Sequence, residues 1–112
     1  MPFFVVTYVH PDEEGWNKHL IPHVEWLQEQ LQRGVLRASG PFVGTPEKSA
    51  LLVLVAPSRA DVDRVIAEDP FVVHGLVTEM TVTEWDPLFG TYQEESSRAN
   101  RAGADAGREV AN

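Results

Sequence analysis

Two residues of this sequence are suited to handling a proton near neutral pH. His23 enters an amphipathic segment that runs to Gly34, and Asp69 begins the stretch Asp69-Pro70-Phe71. An imidazole can gain or lose a proton close to pH 7, and a carboxylate beside it fixes its tautomer and stabilises its charged form. One ring nitrogen then donates to the carboxylate while the other takes or delivers a proton, an arrangement commonly contributing roughly 10² to 10⁴ in rate. A place near the start of a helix acts in the opposite sense, because the unsatisfied N–H groups there favour the neutral ring. Both residues also have plain structural roles. His23 can satisfy a partly buried hydrogen bond, and Asp before Pro is a common turn former that bonds its own backbone. Residue chemistry alone leaves both readings open and does not bring the two side chains together.

Other residues bear on the same question. Ser39, just before Gly40-Pro41, is placed to orient a substrate oxygen; a nucleophilic role would need an oxyanion hole that the sequence does not advertise. His74, in Val73-His74-Gly75, is either a pocket residue or a loop histidine without a proton role. His19 and His23 lie one helical turn apart and can both present nitrogen to a metal, but no third ligand is evident, so neither metal nor cofactor is expected. Phe4, Trp26, Phe42, Phe71 and Trp85 can wall a pocket for a flat ring, although aromatic residues in strands more often fill a core or an interface.

The elements that must position these residues follow from periodicity. Phe3–Val9 is aromatic and β-branched and stops at His10-Pro11-Asp12, as a buried strand would. A loop is expected to about residue 18. A helix over residues 19 to 33 follows from Leu20, Val24, Leu27 and Leu31, with Pro22 in its first turn and Gly34 as its stop. Residues 35 to 43 read as a strand interrupted by Gly40-Pro41, and residues 49 to 56 as an interior strand. Ser58 with Asp61 resembles a capping box for a second helix ending near Asp69-Pro70. Residues 76 to 85 alternate as a last strand. The order β-α-β-β-α-β places two helices on one sheet face and leaves the other bare, and a second copy of the chain is its simplest cover.

Composition narrows the classes. A chain of 112 residues with a formal charge of −8 is one small acidic domain, with no basic stripe to displace counterions from a nucleic acid or to bind an anionic membrane. No run of about 18 apolar residues is present, so no membrane span is expected. Met1-Pro2-Phe3-Phe4 lacks the basic start and long apolar centre of a signal peptide, which with the absence of cysteine makes the cytoplasm the expected location. The domain is expected over residues 1–89. Residues 90–112, rich in Ala, Gly, Ser and charge, read as a tail that is either mobile or a helix over about 96–110 docked on a partner subunit.

An ordered set of these residues resembles the YciI-like family, also called the YCII-related domain. The set is His23-Val24 opening a helix, Gly34-Val35-Leu36, Ser39-Gly40-Pro41, the apolar run 51–55, and Asp69-Pro70-Phe71-Val72 followed by Gly75-Leu76-Val77. The resemblance covers about residues 3 to 86. It implies a ferredoxin-like α+β domain that forms a dimeric α/β barrel by pairing sheets, with a pocket between each sheet and its helices. It also implies that His23 and Asp69 are the catalytic dyad. Some relatives are dehydrochlorinases of hydroxylated aromatic rings, and most have no assigned reaction. Many members carry an arginine where this chain has Leu20, so any anion-anchoring role is lost or has moved to Lys18 or Arg37.

The expected function is therefore cofactor-free proton transfer by His23 and Asp69 on a small cyclic or hydroxylated aromatic compound: an elimination, an isomerisation or a dehydrochlorination. Ser39, Gly40, Pro41, Phe71 and His74 are the expected substrate-binding residues, and the expected partners are that small molecule and a second copy of the chain, with higher assembly left open. The rival readings are a non-catalytic small-molecule-binding or enzyme-accessory module and a cofactor-free oxygenase.

Overall fold

A computed structural model describes residues 1–98. The strands β1 (Phe3–Val9), β2 (Leu36–Pro41), β3 (Ser49–Val55) and β4 (Glu79–Trp85) form one antiparallel sheet in the order β2-β3-β1-β4. The helices are α1 (Glu13–Gln32), α2 (Arg59–Ile66) and the short α3 (Pro70–Val73). This is the ferredoxin-like α+β arrangement that the order of elements implies. Alternation along β1 sends Phe4, Val6 and Tyr8 toward the helices, where they pack with Trp26 of α1 and Val62 and Ile66 of α2.

The first helix starts earlier than its apolar spacing suggests. Asp12 caps it, its carboxylate accepting from the Gly15 N–H at 3.1 Å, and Glu13 and Glu14 complement the dipole of the first turn. Pro22 consequently lies inside α1 rather than in its first turn. An interior proline costs roughly 3 kcal/mol. Burying one large side chain returns about 1.5–3 kcal/mol, and the extra turns bring Trp16 against Phe71, with ring centroids 6.3 Å apart. His23 thus stands at mid-helix, and the expected influence of a helix N-terminus on its ring does not apply.

The second helical segment is divided. Ser58 caps α2 as expected, accepting from the Asp61 N–H at 3.3 Å. Asp69, however, does not close a helix: it caps α3, with Pro70 in the first turn. The residue before proline is held in extended backbone, and Asp69 has φ −64° and ψ 125°. The last strand begins at Glu79, three residues after the buried Leu76.

The second face of the sheet is only partly bare. Phe3, Val53 and Val55 are buried there beneath Tyr92, which follows a glycine turn at Gly90 and donates its hydroxyl to the Arg37 carbonyl at 2.9 Å. Arg37 pairs with Glu95 at 2.5 Å, and Ser97 bonds Asp86. Most of the expected tail helix, residues 99–112 included, lies outside the described residues. Among the described residues no helix is long and apolar enough to cross a membrane.

Asp12→Ala is expected to lower stability by about 1 kcal/mol, the usual cost of losing an N-cap, and to speed amide hydrogen exchange through Trp16. Denaturant unfolding and exchange measured on the same variant check both.

Candidate active site

The site is built around Asp69, which is 0 % exposed. As the cap of α3 its Oδ1 accepts the Phe71 N–H at 3.0 Å, since Pro70 has no N–H to offer. The same oxygen accepts from His23 Nδ1 of α1 at 2.7 Å, and Oδ2 accepts the Tyr8 hydroxyl of β1 at 2.9 Å. Burial, then the neighbouring Asp69 carboxylate, push the Tyr8 pKa far above its ordinary range, so the hydroxyl keeps its proton and donates it to Asp69. With Nδ1 committed to a carboxylate, neutral His23 carries its proton there and leaves Nε2 with an open lone pair. The His23 side chain is 12 % exposed. Its ring lies flat on Phe71, with centroids 3.8 Å apart and planes 6° apart.

His23 lines a cavity of about 410 Å³ between α1 and the sheet, large enough for a small ring compound. Successive turns of α1 contribute Trp16, Leu20, His23, Leu27 and Leu31, and the sheet contributes Ser39, Gly40, Pro41 and Ala50. Four of the five expected binding residues, Ser39, Gly40, Pro41 and Phe71, are therefore at the cavity. No hydrogen bond joins Ser39 to His23 among the described residues.

His74 is not at the cavity. It follows the short α3 as its exposed C-cap, and Gly75, with φ 71°, turns the chain away, leaving the His74 ring stacked on His19 at 3.8 Å. That stacking also commits His19 away from His23. Among the described residues no group of three or more His, Asp or Glu is arranged to hold a metal ion. Of the expected aromatic wall only Phe71 lines the cavity. Phe4 and Trp26 lie in the core, Trp85 packs on Phe3 at the other sheet face, and Phe42 is exposed.

Among the described residues no Lys or Arg lines the cavity. Arg37 is held by Glu95 and lies over the Phe3 ring, 5.5 Å from its centroid, on the opposite sheet face. Lys18 is exposed beside a separate depression with Asp12 and Glu14. Neither takes the place of the missing arginine at Leu20. Lys48 lies over Trp16, 4.6 Å from the ring centroid, and pairs with Glu13 at 3.6 Å.

Three contributors escape a reading by spacing: Trp16, assigned to a loop; Tyr8, read as one more strand aromatic; and His10, read as a strand-ending residue. A tyrosine in an otherwise apolar buried strand is itself a signal, because its hydroxyl needs a partner there.

Comparison with known proteins shows the family and the fold. The model of the YCII-related domain matches residues 1–86. The chain belongs to that family. Among solved structures, 5-chloro-2-hydroxyhydroquinone dehydrochlorinase (TftG) from Burkholderia phenoliruptrix AC1100, in complex with 2,5-dihydroxybenzoquinone, is similar with a TM-score of 0.64. It is 20 % identical over 76 % of this chain and 93 % of its own. Rv0793 from Mycobacterium tuberculosis is similar with a TM-score of 0.51 at 15 % identity, over 81 % of this chain and 99 % of its own. An antibiotic biosynthesis monooxygenase gives a TM-score of 0.50 at 20 % identity, over 75 % and 96 %. At these identities the YCII-related chain shares their fold. Among curated proteins none matches it by sequence.

Burial holds the His10 pKa below its ordinary value of 6.5, with the nearby His23 and Lys48 charges acting in the same direction. The unfolded chain therefore takes up a proton that the folded chain excludes, and stability is lost as pH falls from about 6.5 through the lower folded value. His10→Phe removes this dependence. The stability of wild type minus that of His10→Phe is expected to decrease with falling pH below 6.5 in parallel unfolding titrations; a constant difference would contradict it.

Proposed function

We propose that this protein is a cofactor-free enzyme in which His23, oriented by Asp69, transfers a proton to or from a small hydroxylated or cyclic compound bound between α1 and the sheet. The observation that carries this reading is the 2.7 Å contact between His23 Nδ1 and a wholly buried Asp69 carboxylate beside an apolar cavity. Proton transfer is a use for a ring nitrogen that no other group pairs among the described residues.

In this reading Nε2 accepts the proton of a ring hydroxyl or an acidic C–H. The electron pair left behind forms the new double bond, and a leaving group departs with its own electrons, or a proton returns at another atom in an isomerisation. The imidazolium charge is offset by Asp69, and the proton on Nε2 then passes to the leaving group or to water. Electrons balance without an external oxidant. A dehydrochlorination is the form of this chemistry that the name of the structurally similar TftG supports.

The reading includes a homodimer joined through the second sheet face, where Val5 and Leu51 are only half-buried and Trp85 is 41 % exposed. A cysteine-free chain suits the reducing cytoplasm in which such an enzyme would work.

The test is incubation with a panel of chlorinated hydroquinones, phenols and lactones. His23→Ala is expected to lower turnover by at least about 10²-fold while the chain stays folded by circular dichroism, melts several degrees lower because the buried Asp69 loses a donor, and gives twice the chain mass by light scattering. Stoichiometric binding with no chemical change over long incubation would identify a binding module instead. Oxygen consumption accompanying turnover would identify an oxygenase, and unfolding of His23→Ala would make the histidine structural.

A further inference from the structure

A second imidazole borders the cavity, and no side chain hydrogen-bonds it among the described residues. His10, at the end of β1, is 5 % exposed and is fixed by its backbone N–H, which donates to the Lys48 carbonyl at 2.8 Å. Its ring packs between Tyr8, with centroids 6.4 Å apart, and Phe71, at 5.4 Å. Nδ1 is sealed from solvent without a hydrogen-bond partner, and Nε2 makes no hydrogen bond among the described residues. A phenyl ring would meet the same packing without that penalty, and leaving a buried polar group unpaired costs about 1–3 kcal/mol.

His10 and His23 both contact Phe71 and both line the cavity, so two separate imidazoles face one apolar space. We propose that His10 is a substrate-positioning residue, and that the cavity takes a flat ring bearing two uncharged oxygen substituents, one presented to His23 and the other hydrogen-bonded by His10. This rests on the reading of the cavity as a substrate site. With Nδ1 sealed, Nε2 is the atom the ring has to offer a ligand; burial keeps His10 neutral, and its two neutral tautomers let Nε2 donate to a carbonyl or accept from a hydroxyl. A carboxylate is disfavoured, because among the described residues no Lys or Arg lines the cavity and the Asp69 carboxylate lies behind it. His10 therefore selects the oxygenation pattern of the ring, while His23 carries the proton.

The experiment is a titration of the protein with phenol, catechol, resorcinol and hydroquinone, followed by the NMR signals of the histidine rings. At least one of the three dihydroxybenzenes is expected to bind wild type about tenfold more tightly than phenol, the scale of one satisfied hydrogen bond. His10→Phe should bring that ratio close to one without lowering the melting temperature. His10→Gln, which keeps a donor and an acceptor, should retain part of the preference and serves as the readout if the phenyl variant does not fold. A preference that survives in His10→Phe, or that is missing from wild type while phenol still shifts His23, overturns the role of His10 and leaves the His23 site standing. Failure of every ring compound to perturb His23 overturns the substrate-site reading and this inference with it.

Discussion

Taking a carboxylate out of water costs several kcal/mol unless donors replace its hydration, and Asp69 meets that condition with donors from three parts of the chain. Phe71 N–H comes from its own capping turn, the Tyr8 hydroxyl from the central strand β1, and His23 Nδ1 from the middle of α1. The carboxylate therefore ties sheet, long helix and short helix together at one point. The bonds that make its burial tolerable also fix the His23 ring and its tautomer. Stability and the proposed chemistry share a single interaction here.

The character of the cavity follows from what surrounds that point. Aliphatic residues of α1 and the ring of Phe71 make it apolar, and its titratable lining is confined to two imidazoles among the described residues. The cations that might have drawn an anionic substrate are engaged elsewhere, Arg37 with Glu95 across the sheet and Lys48 with Glu13 beside Trp16. Such a site suits an uncharged ring whose oxygens are recognised by hydrogen bonds.

Much of this was legible in the sequence because it rests on local patterns. The alternation in Phe3–Val9, the continuous apolar run of β3 and the Ser58 cap each point to the element that forms. The His23–Asp69 contact was legible only through the ordered family motif, since spacing along a chain does not measure distance through space. The errors have a common source. Pro22 suggested a helix start, but α1 runs from Glu13 behind the Asp12 cap, and that cap with the packing of Trp16 on Phe71 offsets part of the proline penalty. Asp69-Pro70 reads as the end of the second helix, whereas α2 ends at Ile66 and Asp69 caps α3; helix ends and helix starts use the same residue types. His74 was attached to the site by proximity in sequence, whereas the turn at Gly75 carries it to His19. Tyr8 and His10 were hidden because strand periodicity describes which face a side chain takes and not which polar atom it must satisfy.

The most direct measurement is the ¹⁵N chemical-shift pattern of the His23 ring, in wild type and in Asp69→Asn, at a pH where the ring is neutral. The account predicts that wild-type His23 holds its proton on Nδ1 with Nε2 unprotonated, and that loss of the Asp69 charge weakens this preference. A wild-type ring protonated on Nε2, or a tautomer indifferent to Asp69, would contradict the claim that Asp69 orients His23 as a proton acceptor.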